Sequence, residues 1–280
     1  MGREEKSMNI TSVEEAQKDT SYYKALTALL YQLADDDFII AYRGSEWLGL
    51  APHIEEDVAF SSINQDTMGH AAMYYQLLED LGEGDMDALA HARKATERVN
   101  AVLLEKVNGS GTYLTEPKYD WAYTVVRHYF YTQSKKIKVE SLKNSSYEPL
   151  KHVAVKVNME LYYHLLHWRT WFKQLCSANG DAKSRMKAAI DKVLEEFDGV
   201  LALGPSGDAI TQYRLIEKES ELRKRFVAEM ASMFEKLNMV FPESMGMKSG
   251  NGRKGEHTKD LDDALLTLSE VYRSNPAAVW

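Results

Sequence analysis

The chain has 280 residues, a net charge of −8 at pH 7 and a single cysteine, Cys176. This length is enough to bury a full hydrophobic core. One cysteine excludes an intrachain disulfide and a cysteine-rich zinc site, and the acidic charge argues against nucleic acid or an anionic membrane as the main partner. No apolar run reaches the ~20 residues of a membrane span, and the N-terminus lacks the apolar stretch of a signal peptide, so we expect a cytoplasmic protein without membrane association.

Apolar residues recur every three or four positions over most of the chain, which predicts an all-α protein. Residues 1–20 are polar and charged and are predicted to form a flexible N-terminal arm, followed by a single helical domain over residues 21–280. The pattern predicts four long helices, over residues 22–50, 54–81, 119–142 and 150–178. It also predicts accessory helices over residues 85–106, 186–197, 213–237 and 258–273. We find no internal repeat and no alternating strand pattern.

Charged stretches modify two of these predicted helices. Asp35, Asp36 and Asp37 interrupt the apolar pattern of the first long helix, and we expect them to introduce a bend or a cap. Residues 85–106 are amphipathic but heavily charged, so they are predicted to form a surface helix that links the two halves of the chain.

Two acid–histidine pairs, each spaced by one helical turn, lie on the second and fourth long helices. They are Asp66 with His70 and Glu160 with His164, and Glu46 is an acid on the first long helix. Di-metal sites in four-helix bundles take a carboxylate from every helix and a Glu-x-x-His unit from two of them. Such oxygen-rich sites hold iron and leave open positions for dioxygen. These five residues are therefore candidate metal ligands.

The ligand set of a di-metal site is nevertheless incomplete. The third long helix has no acid between its two ends, and Thr132 stands near its middle. In a Glu-x-x-His unit the imidazole follows the acid by three residues, but Gly69 and Tyr163 occupy those positions here. Each histidine comes one residue late, about 100° further round the helix. A dinuclear site is therefore disfavoured, whereas a distorted or mononuclear one stays open.

We favour a buried, metal-free network inherited from a metal site. Buried charges need partners, and acid–histidine or acid–cation pairs supply them without a metal. The predicted members of this network are Glu46, Asp66, His70, Thr132, Glu160, Tyr163 and His164, with Arg43, Arg127 and Lys156 as candidate cations. His128, His152 and His167 are interpreted as surface or satisfied core histidines.

A basic, glycine-rich loop precedes the last predicted helix. Gly250, Gly252 and Gly255 match the glycine spacing of a dinucleotide-binding loop, but no strand precedes them, as that mechanism requires. Backbone N–H groups at the helix start could still attract a phosphate or a partner's carboxylate, assisted by Lys248, Arg253 and Lys254. We favour the simpler interpretation of a turn that caps the helix or docks on a neighbouring subunit.

Aromatic residues are concentrated on the third and fourth long helices. They are Trp121, Tyr129, Phe130, Tyr162, Tyr163, Trp168 and Trp171. Core packing is the simplest role for them, and part of the set is a candidate partner interface because Tyr and Trp are enriched in interfaces.

Four sequence runs resemble the PaaC family, whose members are structural subunits of the bacterial phenylacetyl-CoA 1,2-epoxidase of phenylacetate catabolism. They are residues 44–57, 64–70, 156–164 and 250–261, and the C-terminal Trp280 fits as well. The resemblance covers nearly the whole chain from residue 26 onward. It implies a ferritin-like four-helix bundle with additional accessory helices, in a structural subunit that is not itself catalytic and carries no cofactor.

The resemblance also implies a partner and leaves an alternative open. The partner is the homologous di-iron catalytic subunit, the A component of the epoxidase complex, within a homo- or hetero-oligomer. Two positions depart from the family pattern, since Thr132 stands where an Asp is usual and His70 replaces a Gln. The alternative is a catalytically active, divergent ferritin-like oxygenase or oxidase, with a metal held by Glu46, Asp66, His70, Glu160 and His164.

Overall fold

The computed structural model describes residues 9–242 and 244–278, and helices dominate both stretches. The helices are α1 (Val13–Gln17), α2 (Thr20–Ser45), α3 (Ile54–Asp80), α4 (Met86–His91), α5 (Val102–Glu105), α6 (Trp121–Leu142), α7 (Glu148–Ser177), α8 (Asp181–Leu194), α9 (Asp198–Leu201), α10 (Gly207–Gln212), α11 (Glu219–Lys236), α12 (Lys259–Leu268) and α13 (Glu270–Ser274). Strands β1 (Gly109–Ser110) and β2 (Lys118–Tyr119) form one short antiparallel pair. The predicted all-α class is confirmed.

The four predicted long helices are α2, α3, α6 and α7, and they pack as an antiparallel four-helix bundle. Asp19 and Asp120 are the N-cap residues of helices α2 and α6, and their carboxylates accept hydrogen bonds from first-turn N–H groups. Helix α7 has Pro149 in its first turn, where a missing N–H costs nothing. None of the helices within the described stretches combines the length and apolarity that a bilayer crossing requires.

Helix α2 is buried on nearly all sides, and its three aspartates lie inside the protein. They do not cap the helix, because they lie in its middle, and they are at most 3% exposed. Consecutive helical residues point about 100° apart, so each carboxylate meets a different neighbour. The pairs are Asp35 with Arg93 and Arg98, Asp36 with Arg253, and Asp37 with Lys135.

The segment over residues 85–106 is not the predicted surface helix. It divides into α4, a 3₁₀ turn at Ala95–Glu97 and α5, and its residues Arg98, Asn100 and Glu105 are fully buried. The N–H groups of Val99 and Ala101 donate to the carboxylates of Asp35 and Asp36, at 3.0 and 2.8 Å. These tertiary bonds replace helical ones, so the local amphipathic pattern misled the prediction.

The two ends of the chain also differ from expectation. Residues 1–8 of the predicted arm and Trp280 lie outside the described residues. Within residues 9–20, Ile10 exchanges backbone hydrogen bonds with Ser146 and Glu148 at the start of α7, at 2.8 and 2.9 Å. Near the other end, the predicted helix over residues 258–273 is divided at Ser269 into α12 and α13.

Candidate functional site

The two acid–histidine pairs do come together, but across helices. The Nε2 atom of His70 on α3 lies 2.6 Å from Oε2 of Glu160 on α7. The Nε2 atom of His164 on α7 lies 2.9 Å from Oδ2 of Asp66 on α3. Because α3 and α7 run antiparallel, an acid and a histidine four residues apart on each helix face their counterparts reciprocally. Both carboxylates are partly open to solvent, whereas both imidazoles are buried.

A third acid–histidine bond extends this arrangement, and the sequence pattern did not predict it. His167 Nε2 lies 3.0 Å from Oε1 of Glu56, and the indole N–H of Trp171 donates to the other carboxylate oxygen at 2.6 Å. Glu56 is only 3% exposed although it lies in the acidic first turn of α3. We call the six residues Glu56, Asp66, His70, Glu160, His164 and His167 the α3–α7 ladder. Its three bonds fix how α7 is rotated against α3.

A lysine from α6 lies behind the ladder at the centre of the bundle. Lys135 Nζ donates to Oδ1 of Asp37 at 2.7 Å and to Nδ1 of His70 at 2.8 Å. The hydroxyl of Tyr131 donates to the same Asp37 oxygen at 2.6 Å. Helix α6 has no acid between Asp120 and Glu140, and near its middle it contributes a cation instead. Neither Lys135 nor Asp37 was predicted to belong to the network.

Hydrogen bonding sets the charge state of this centre. Burial raises the pKa of Asp37 and lowers that of Lys135, which favours the neutral forms. Asp37 accepts two hydrogen bonds and Lys135 donates to two acceptors, and these contacts stabilise the ammonium–carboxylate pair. Since an ammonium cannot accept, Nδ1 of His70 accepts and its Nε2–H donates to Glu160. Burial, and then the charge of Lys135, lower the pKa of His70, so the ring stays neutral.

Of two other residues predicted for the network, Thr132 lies beside it and Glu46 lies apart from it. Thr132 is buried and lines a small cavity beside Lys135 and His164. Glu46 follows the last residue of α2 and bonds to Arg43 at 3.0 Å and to Asn108 at 2.8 Å, so it does not join the network. It lies nine residues beyond Asp37, about 13 Å along the helix axis.

The structure also corrects the assignments of Tyr163 and of the three candidate cations. Tyr163 is 70% exposed, so it does not belong to the buried network. Of the candidate cations, Arg43 bonds to Glu46, and Arg127 bonds to the backbone of Lys106 and to Asn108. Lys156 is exposed. The cation of the network is therefore Lys135.

The glycine-rich loop serves the fold. Arg253 is buried, and its guanidinium donates to both oxygens of Asp36 at 2.9 and 2.7 Å, so it is not available to an anion. A Cβ at Gly252 would lie 1.9 Å from the carbonyl oxygen of Asn100, and Gly255 has a φ of 75°. Lys248 bonds to Glu195 at 3.0 Å, and Lys254 is exposed. The spacing of these glycines therefore reflects close backbone packing.

Comparison with known proteins agrees with the resemblance found in the sequence. The profile of the family described as "Phenylacetic acid catabolic protein" matches residues 8–280. The chain belongs to this family. A relative from Escherichia coli (strain K12), named as the C subunit of 1,2-phenylacetyl-CoA epoxidase, is 27% identical over 256 residues, which are 91% of this chain and 99% of that protein.

The centre of this bundle does not fit a di-metal site. A lysine ammonium has no lone pair to offer a metal, and its charge disfavours a second cation at the same place. Lys135 engages Nδ1 of His70, while Nε2 of the same ring is bonded to Glu160. Within the described part of the chain, no group of three or more His, Cys, Asp or Glu side chains has an arrangement that could hold a metal ion.

The buried histidines of this family member predict a loss of stability in acid. His128 donates from Nδ1 to the Thr124 carbonyl at 2.8 Å, and burial lowers its pKa to about 3. The unfolded chain therefore binds a proton below about pH 6.5 that the folded chain does not. We expect the free energy of unfolding to fall by about 1.4 kcal/mol per pH unit for this residue, well below pH 6.5. Urea unfolding at pH 7.5, 6.5, 5.5 and 4.5 measures it.

A pair of variants isolates the contribution of His128. His128→Gln removes the titrating group. Its free energy of unfolding should therefore fall less steeply with decreasing pH than that of the wild type, by the equivalent of about one bound proton. His152, whose side chain is 75% exposed, provides the control variant His152→Gln, which should keep the wild-type slope. Equal slopes for the His128→Gln protein and the wild type would contradict the prediction.

Proposed function

We propose that the chain is a non-catalytic structural subunit of a multicomponent phenylacetyl-CoA epoxidase in aerobic phenylacetate degradation. In this role it binds and supports the homologous di-iron catalytic subunit of the complex. Membership in the phenylacetic acid catabolic protein family supports the assignment. So does similarity to a protein named as the C subunit of this epoxidase, over 99% of that protein's length.

The observation that carries the proposal is the position of Lys135. Oxygen activation by a di-iron centre needs anionic ligands that converge on two cations and open coordination positions. Lys135 contacts Asp37 and His70 at 2.7 and 2.8 Å, at the middle of the bundle. The ammonium supplies a fixed positive charge there, so Asp37 is neutralised without a redox metal. What the bundle then offers a partner is a rigid shape.

Binding and iron content together test this function. The purified chain is mixed with the di-iron catalytic subunit of its own organism and analysed by size exclusion with light scattering, and iron is measured in each component. We expect a stable heteromer whose iron resides in the catalytic subunit. A monodisperse chain without affinity for that subunit would contradict the proposal.

The same experiment discriminates the alternative of an independent oxygenase or oxidase. The control is the Asp66→Ala/Glu160→Ala variant, which removes the two acids of the ladder that face solvent. If the chain alone retains about one or two irons after reconstitution and the variant loses them, the chain has its own redox site. If neither protein retains iron, the structural role stands.

A further inference from the structure

The outer side of α7 carries an apolar stripe that residues 9–242 and 244–278 leave exposed. Val155, Met159, Tyr162 and Leu166 are between 49% and 63% exposed. The core side of the same helix is also apolar, with Leu161 and other residues fully buried. The predicted aromatic set is thus divided, since Trp168 lies in the core whereas Tyr162 and Tyr163 face outward. We call Val155, Met159, Tyr162 and Leu166 the outer seam of α7.

The spacing of the outer seam fits a helix. Its residues follow one another at intervals of four, three and four, which is the apolar repeat of helices packed along each other. The seam covers three helical turns, about 16 Å of a straight helix. A second helix crossing at about 20° would keep all four side chains in contact, whereas a strand or a loop would not.

Charge favours a different protein over a second copy of this chain packed in parallel. Between His152 and Lys173, the only acid on α7 is Glu160, and it is bonded to His70. Lys156 and Lys173 are exposed at the edges of the outer seam, in a chain whose net charge is −8. Two parallel copies would place these lysines against each other, while acidic residues beside the seam of another helix would complement them.

The α3–α7 ladder explains why this face is presented outward. All three hydrogen bonds are made on the side of α7 that faces α3, and the core residues of α7 lie next to that side. Both sets of contacts oppose rotation of α7 about its axis. A partner would therefore meet a preformed surface, which lowers the entropy cost of binding.

We infer that the outer seam of α7 docks an α-helix of the catalytic subunit, one with apolar residues at three-and-four spacing and acidic residues beside them. The inference rests on the proposed function and names the surface through which it acts. The four residues alone bury less than the ~800 Å² per partner of a standard interface, so we expect them to form its centre.

Two substitutions on the outer seam test the inference. Tyr162→Glu/Leu166→Glu places two charges at the centre of the predicted contact, and we expect the affinity for the catalytic subunit to fall at least about 100-fold. Both side chains are more than half exposed, so the thermal midpoint and the far-ultraviolet circular dichroism should not change. Val240 is 89% exposed and lies outside α7, so Val240→Glu is the matched control and should bind like the wild type.

A charge reversal gives an independent readout if the first variant does not fold. Lys156→Glu/Lys173→Glu leaves the seam apolar, and we expect it to weaken binding about 10-fold at low salt and less at high salt. Wild-type affinity of the folded seam variant overturns the inference and leaves the proposed function intact. If the wild type itself does not bind the catalytic subunit, the proposed function fails. If the seam variant instead abolishes a homodimer of the wild type, the occupant is a second copy and the inference is wrong.

Discussion

Replacement of Lys135 by methionine is expected to destabilise the protein by ~3–5 kcal/mol, since removing one partner of a buried ion pair strands the other charge. Methionine keeps the length and apolar contacts of the lysine stem but donates no hydrogen bond. Asp37, 1% exposed, would keep only the Tyr131 hydroxyl, and Nδ1 of His70 would lose its donor. Urea unfolding at pH 7.5 measures the loss.

A double variant separates charge stranding from a packing defect. In Lys135→Met/Asp37→Asn both charges are absent, and the asparagine still accepts from the Tyr131 hydroxyl. We expect the double variant to recover more than half of the lost stability, because a buried pair replaced as a whole costs far less than a broken one. A double variant as unstable as Lys135→Met would mean that packing, not charge, makes this lysine important.

Periodicity was sufficient to predict the four long helices and much of the ladder. The acid–histidine spacing of one turn identified Asp66, His70, Glu160 and His164, because residues four apart share a helix face. Antiparallel packing of α3 and α7 then made the pairs reciprocal, which spacing alone did not indicate. Glu56 and His167 are 111 residues apart, and no acid lies three or four residues from His167 on its own helix to mark it.

The central ion pair could not be predicted, because its residues resemble surface residues. Three consecutive aspartates usually mark a solvated turn, and their burial depends on cations up to 217 residues away in the chain. Asp37 was missed for that reason, and Glu46 was predicted to be the acid that this helix contributes. Lys135 lies on the helix for which a carboxylate ligand was expected, whereas the side chain that matters there is a cation.

The surface helix predicted over residues 85–106 and the anion-binding role considered for Arg253 differ from the structure for related reasons. Both sequences have a clear local pattern, amphipathic in one case and dinucleotide-like in the other, and in both the pattern was overridden by tertiary contacts. The carboxylates of Asp35 and Asp36 bond to the N–H groups of Val99 and Ala101. The Asn100 carbonyl approaches Gly252 so closely that only glycine fits. Segments far apart in sequence thus determine each other's conformation around α2.

Arg253→Ala is expected to destabilise the protein by ~3–5 kcal/mol and to release the C-terminal segment from α2. The guanidinium is fully buried, donates to both oxygens of Asp36, and also bonds the carbonyl oxygens of Val99 and Ala202 at 2.7 and 3.2 Å. Alanine would leave these acceptors without their donor, although Asp36 keeps its bond from the Ala101 N–H.

Lys254→Ala is the matched control for this prediction, because Lys254 is the adjacent residue and is exposed. We expect it to change the free energy of unfolding by less than about 0.5 kcal/mol. Limited proteolysis provides a second measurement, since undocking of the loop should expose residues 244–258 to cleavage in Arg253→Ala and not in Lys254→Ala. An anion site would behave differently: Arg253→Ala would then keep wild-type stability and protease resistance, and lose only phosphate binding. The bidentate bond of Arg253 to buried Asp36 makes destabilisation the expected outcome.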